Sequence, residues 1–249
     1  MPQLHSAQNA PPTPRYHLSL AVDDEEIREA QRLRHAVFVE EMGARLPPVL
    51  PGHDIDLYDP YCDHLIVRER DHGEVVGTYR ILTPESALRL GSYFVDSQYD
   101  LARLAQLRPR MAELSRACVH PSHRGGAVIR ALWTGIAEFM TRYRYDYIVG
   151  CAAIGMADGG RLAARVYREA RACRLAPREW QCSPHNRLPV EELDDGLAAV
   201  LPPLIKGYLH AGAYVCSEPA LDLNFNTAGL LMLLPMSQLK TNHANRFDR

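Results

Sequence analysis

"ELSRACVHPSHRGG", residues 113–126, decides the fold. It starts as an apolar strand interrupted by Glu113 and Arg116, turns at a proline, and ends in Gly125–Gly126 ahead of the apolar run "AVIRALWTGIAEFMTRY". A strand that enters a helix through paired glycines brings backbone N–H groups and a helix N-terminus to one point, a ready anion site. The glycines let a ligand approach the backbone closely. Side chains alternate along a regular strand, so Glu113 and Arg116 should point to opposite faces. They share one cleft only if a bulge inserts a residue between them. Alone, such a pair reads as a strand-end ion pair, and "RGGA" is a weak phosphate signal.

Upstream, "YHLSLAV" alternates and predicts a first strand. "DDEEIREAQRLRHAVFVEEMG" predicts a helix with Asp23 or Asp24 as N-cap, acids in its first turn, a terminal Gly43, and a buried stripe of Ile27, Ala30, Leu33 and Val37. After a loop rich in proline and aspartate, "HLIVRER" and "EVVGTYRIL" form a hairpin across "DHG". Residues 84–112 are irregular with short helical patches. Downstream come the helix at 126–143, a strand "YDYIVGCAA", a helix "GRLAARVYREARACR", and finally a helix with two or three strands. A hairpin followed by strand–helix–strand units implies one α/β domain around a mixed sheet. Its expected span is 16–236, with a polar, proline-rich, disordered tail at 1–15 and a C-terminal tail at 237–249.

The 249 residues suit one large domain or two small ones, and a net charge of −2 argues against a general nucleic-acid binder. The first fifteen residues hold no apolar h-region and are not a secretory signal. The longest apolar run, "AGLLMLLPM", falls short of the roughly 20 residues that span a bilayer, so a soluble or at most peripheral protein is expected. The 6 cysteines include no C-x-x-C pair, which reads as reduced thiols in a cytoplasmic protein.

"HDIDLYDPYCDH" carries Asp54, Asp56, Asp59 and Asp63 with His53 and His64. It fits neither the EF-hand spacing nor a His-x-x-x-His zinc pattern, so no metal is expected. It is either a solvated acidic loop or an acidic pocket for an amine. Arg80, among apolar strand neighbours, needs an anionic partner. Arg34 and Phe38, one helical turn apart, read alone as a snorkelling arginine and a core phenylalanine. Cys118 with His120 could suggest a nucleophile and base, but no nucleophile elbow surrounds them, and a buried thiol is the plainer reading. Arg161, Arg165 and Arg168 share a helical face, with Arg171 and Arg174 alongside. That face is either solvated or a docking surface for an acidic partner.

The order and spacing of "LRHAVFVEEMG", "DIDLYDPYCDHLIV", "VVGTYRIL", "SYFVDSQYDL", "ELSRACVHPSHR" and "LPPLIKGYLHAGAYVCSEPALDLNFNT" resemble the L-ornithine N-alpha-acyltransferases of ornithine-lipid synthesis. More remotely they resemble the acyl-homoserine-lactone synthases. The resemblance implies a GNAT-like mixed β-sheet with flanking helices in a single domain. It implies an N-acyltransferase moving a 3-hydroxyacyl group from acyl carrier protein to the α-amine of ornithine. Arg34, Phe38, Asp56, Asp59, Arg80, Glu113 and Arg116 match the motif positions, with Glu113 and Arg116 catalytic, and the others, with Asp54, binding the substrate. Val119, Arg124, Gly125 and Gly126 would hold the phosphopantetheine arm, which is a co-substrate, so no cofactor is implied. Backbone N–H groups freed by a bulge near Ser115–Val119 would serve the oxyanion. The tail "LPPLIKGYLHAGA" favours the ornithine branch. Ser115 and Ala117 depart from the family's usual "ELGRSCVHP", and "SQYD" from its "EFD", which bears on the amino-acid acceptor. A lactone synthase, another N-acyl amino acid synthase, and a non-catalytic carrier-protein or lipid binding module stay open as alternatives. A CoA-dependent acetyltransferase usually shows Q/R-x-x-G-x-G/A, which "RGGAVI" does not fit. Peripheral membrane contact would come through the lipid product.

Overall fold

The computed structural model describes residues 15–47 and 49–239. The expected N-terminal tail up to residue 14, and the C-terminal tail beyond Leu239, lie outside the described residues. The chain runs β1 (Tyr16–Leu20), α1 (Asp24–His35), β2 (Asp63–Glu69), β3 (Val75–Leu82), α2 (Pro84–Leu90), β4 (Tyr99–Asp100), β5 (Met111–Val119), α3 (Ala127–Tyr143), β6 (Tyr147–Gly155) and α4 (Arg161–Arg174). It finishes with β7 (Ser183–Pro184), α5 (Val190–Leu193), α6 (Pro203–Ala211), β8 (Tyr214–Val215), β9 (Ala220–Asp222) and β10 (Thr227–Pro235). The Asp23 side chain caps α1 by accepting from the Glu26 N–H, and Asp24, Glu25 and Glu26 complement the positive helix end. Past His35 the helix widens into a π turn, Ala36–Glu41, before Gly43 stops it.

The main sheet has the order β1-β2-β3-β5-β6-β10-β8, with β9 also on β10. Among the strands of the described residues only β5 and β6 pair in parallel. The hairpin expected at 64–82 is β2–β3, and the apolar run at 228–236 is mostly β10, buried along its whole length. Covered on both faces, that strand has no need to alternate. Among the described residues no helix is long and apolar enough to cross a membrane. A small pair, β4–β7, was not legible in the sequence.

One face of the sheet carries α3, α4 and α6, whose Val128, Leu132, Ile136, Val166, Ile205 and Tyr208 pack on Tyr79, Ile81, Leu114 and Ile154. Gly135 permits close contact, since a Cβ there would stand 2.7 Å from Leu18 Cδ2. On the other face Tyr93, Val95, Tyr99 and Leu104, from the irregular stretch before β5, pack on Met111, Val149 and Leu231. α1 and the π turn that follows it join through Leu33 and Val37 against Cys118. Leu239 is buried too, so the packed domain continues past the expected boundary at 236.

Two irregularities interrupt the sheet at its centre. The β5–β6 register ends at Leu114↔Gly150, although β5 continues to Val119 and β6 to Gly155. Against β3, Ser115 pairs Arg80 and Cys118 pairs Thr78, so Arg116 and Ala117 together face Tyr79. That is the bulge the Glu113–Arg116 spacing requires, and Arg116 takes the left-handed φ of 56°.

Candidate active site

The bulge turns Glu113 and Arg116 toward one structure, the short turn Phe94–Ser97. Glu113 accepts hydrogen bonds from the Phe94 N–H at 2.7 Å and the Val95 N–H at 3.0 Å. The Arg116 guanidinium lies 5.3 Å from the Phe94 ring centroid and 4.7 Å from that of Phe225. A regular strand would have placed these two charges on opposite faces.

Above them the acidic loop and the expected arginines form one buried ion cluster. Arg34 donates to Asp54 at 2.9 Å and to both oxygens of Asp59 at 2.9 Å. Arg80 donates to Asp56 at 2.6 Å, Asp59 at 3.1 Å and the Ser115 hydroxyl at 3.0 Å. Arg116 reaches Asp54 through Nε and Asp56 through Nη2, each at 3.0 Å, leaving Nη1 without a partner among the described residues. Burial pushes the Asp56 carboxyl up, but Arg80 and then Arg116 outweigh it and hold it at about 2. Arg80 is disfavoured by burial yet raised by Asp56 and its neighbours, and Arg116 is lowered by burial and by Arg80. His64 is buried, its Nε2 3.1 Å from the Asp59 carbonyl, and burial lowers its pKa.

This arrangement corrects two readings. Arg34 is not a snorkelling arginine, because its side chain is 0% exposed and ion-paired. Nor are Asp54, Asp56 and Asp59 an open acidic pocket. Each is already satisfied by a guanidinium, so the loop fixes arginines before it can attract an amine. Phe38 packs edge-on against Phe225 at 5.8 Å and so belongs to the wall beside Arg116.

Glu113 is the unpaired acid of the group. It is 1% exposed, and burial raises its pKa to about 7 against the pull of the Phe94 and Val95 amides and of Arg80. Half ionised near neutrality, it can hold or release a proton there.

Across the sheet lies an apolar cavity of about 580 Å³ between α3, α6 and the end of β5. Val119, Arg124 and Gly126 line it, as do Ala117 and Cys118 beside the bulge. Gly125 does not, and a Cβ there would meet nothing. Gly126 is required, with φ of 90° and the Arg130 Nη1 2.9 Å from where a Cβ would stand. No side chain caps the first turn of α3, and Arg130 forms no ion pair among the described residues, whereas Arg124 is paired with Glu41 at 2.6 Å. Where β5 and β6 part, the Tyr208 hydroxyl bonds that of Tyr79 at 2.9 Å and stands 2.9 Å from the Cβ position of Gly150. Burial raises Tyr208 well above its usual range, so the phenol stays protonated.

Sequence reasoning missed Phe94, Phe225 and Tyr208, because a lone aromatic in a loop or short helix carries no spacing that separates a wall from a core. It also over-read α4. Arg165 pairs with Asp195, and Arg168 with Asp194, Glu169 and the Leu197 carbonyl. Arg174 lies 4.4 Å over the Tyr214 ring. Arg165 and Arg168 are thus neutralised by their own chain, whereas Arg161, Arg171 and Arg174 have no acidic partner among the described residues. Cys118 is buried and its thiol is pushed up to about 12 by burial, which leaves no thiolate for attack. Among the described residues no group of His, Cys, Asp and Glu could hold a metal ion.

Residues 33–134 match the family described as Acetyltransferase (GNAT) domain. The chain is 34% identical over 248 residues to an L-ornithine N(alpha)-acyltransferase of Rhodobacter capsulatus, covering 94% of this chain and 95% of the relative. It is 36% identical over 237 residues to one from Agrobacterium fabrum, covering 88% and 80%. The AHL synthase LasI shares the fold at a TM-score of 0.51 and 15% identity, over 89% of this chain and 90% of the other.

Proposed function

The chain belongs to the L-ornithine N(alpha)-acyltransferases, and on that premise we propose that it moves a 3-hydroxyacyl group from acyl carrier protein to the α-amine of ornithine, opening ornithine-lipid synthesis. The observation that carries this reading is a donor-sized apolar cavity on one face of a parted sheet and a carboxylate of pKa about 7 on the other, both against the same bulged strand. Thioester and amine can then approach from opposite sides.

The phosphopantetheine arm enters between α3 and α6, its phosphate at the uncapped start of α3 beside Gly126 and Arg130. Its amides find partners along β5 beyond Leu114, where pairing with β6 has ended. Backbone N–H groups of the bulge stabilise the oxyanion. The acceptor lies between Phe94 and Phe225, its carboxylate on the free Nη1 of Arg116, whose other nitrogens the aspartates hold in place.

The amine must attack as free base. Its nitrogen bonds to the thioester carbon, the C–S bond breaks, and the amine proton passes by water relay to Glu113, because that carboxylate is too buried for direct contact. Tyr208, protonated at the parting of the strands but as buried as Glu113, reaches the leaving sulfur through water in the same way. No acyl group rests on the enzyme.

The test is incubation with 3-hydroxyacyl carrier protein and either ornithine or S-adenosylmethionine, with mass spectrometry of the product. N-acylornithine is expected. A lactone formed from S-adenosylmethionine, or transfer only from acyl-CoA, would overturn the reading.

A further inference from the structure

The two turns that flank Arg116 are tied to each other. Phe94 belongs to the turn that Glu113 holds at its start, and Gln98 ends that turn, donating its N–H to the Val95 carbonyl at 3.1 Å. Phe225 belongs to the turn that Asp222 opens, with Asp222 Oδ1 accepting from the Asn224 and Phe225 N–H groups at 3.0 and 3.1 Å. The Gln98 Nε2 donates to Asp222 Oδ2 at 3.0 Å and so bridges the two walls.

This bridge has more acceptors than donors. The Gln98 Oε1 is buried with no hydrogen-bond partner among the described residues, 3.6 Å from the Cβ position of Gly229 on β10. Turning the amide over would set Oε1 against the Asp222 carboxylate, so its orientation is fixed. Asp222 has no cationic partner among the described residues, in contrast to Asp54, Asp56 and Asp59, each held by an arginine. Asp222 is only partly buried, so a ligand can reach it. A buried orphan acceptor beside an unneutralised carboxylate is favourable only when a donor, best a cation, comes between them.

We propose that Gln98 and Asp222 form the subsite for the side-chain ammonium of the acceptor amino acid, with Arg116 holding its carboxylate at the other end. The assignment rests on the ornithine reading and gives it a location the acidic loop cannot supply. Specificity for a cationic side chain then lies outside the Arg–Asp cluster, in two residues far apart in sequence.

The experiment compares kcat/KM for ornithine with that for norvaline, which has the same carbon chain without the terminal amine. It uses the full chain, as wild type, Asp222→Asn and Gln98→Glu. Asp222→Asn removes the charge and keeps one acceptor, for the Asn224 and Phe225 N–H groups; its Nδ2 then faces Gln98, whose amide can turn over to accept with Oε1 and keep the bridge. This variant should lower the ornithine-to-norvaline ratio by about tenfold or more, as expected for a hydrogen bond to a charged group. Gln98→Glu gives up the bond to Asp222 but sets two carboxylates beside the ammonium, and should raise the ratio. A bridge that only held the walls together would weaken both substrates alike and leave the ratio within about twofold in both variants, which would overturn the subsite. Ratios moving in the same direction in both variants would overturn it too. A wild-type enzyme that acylates neither amino acid would remove the ornithine reading, and the subsite with it.

Discussion

Replacing Glu113 by glutamine tests the site through stability as well as rate. Both wild-type oxygens accept backbone N–H groups, and glutamine can accept with only one of them. Its NH₂ would face an N–H, leaving an unsatisfied buried group at a cost of about 1–3 kcal/mol at any pH. Against this stands the cost of ionising a buried carboxyl. Its pKa rises from an ordinary 4.5 to about 7. At about 1.4 kcal/mol per pH unit that is on the order of 3 kcal/mol well above pH 7, and about 1 kcal/mol at pH 5. The sign follows from the raised value: the folded state binds this proton more tightly, so the favourable contribution is full below 4.5 and is lost as pH rises through about 7. Glutamine has no such dependence. Between pH 5 and pH 8 the stability difference should therefore move by about 2 kcal/mol in favour of Glu113→Gln. Urea unfolding of both proteins at pH 5, 6, 7 and 8 measures it. Parallel curves would refute the raised pKa and with it a base poised near neutrality. In turnover, the wild-type rate should climb through about pH 7, and the glutamine variant should lose about 10²-fold or more together with that limb.

Arg80→Met leaves Asp56 and Asp59 buried with one guanidinium fewer and should destabilise by about 3–5 kcal/mol in the same urea assay, with activity lost. Cys118→Ala should keep its turnover, since attack is direct, at about 1 kcal/mol of stability; a trapped acyl-cysteine in the wild type would count against this. Arg130→Glu, at the cavity mouth, should raise the KM for carrier-protein substrate several-fold at low salt and leave that for ornithine within about twofold in steady-state kinetics. Arg165→Glu with Arg168→Glu should instead lower the melting temperature, because those residues hold the loop at 194–197.

The strands and long helices were legible because their periods and caps are local. The bulge was legible as a condition: Glu113 and Arg116 share a cleft in no other way, and the family resemblance, not the strand itself, implied that they do. The partners of the acidic loop were not. Asp54, Asp56 and Asp59 lie in a stretch with no period, and only the fold shows that Arg34, Arg80 and Arg116 converge on them from α1, β3 and β5. The α4 arginines failed for the opposite reason. Their helical spacing was real, but the acids that neutralise Arg165 and Arg168 lie in the loop at 194–195. Phe225 carried no signal, because its contact with Arg116 joins residues more than a hundred apart.

The central claim is direct attack by the α-amine on an acyl thioester held in the cavity between α3 and α6. It is tested most directly by reacting 3-hydroxyacyl carrier protein with ornithine labelled with ¹⁵N at the α position and locating the acyl group by tandem mass spectrometry. The acyl group should sit on the labelled nitrogen, with one thiol released per amide formed and no acyl group on the protein at any time. An acyl group on the side-chain nitrogen, or an acylated enzyme that forms and decays at the rate of product, would contradict it.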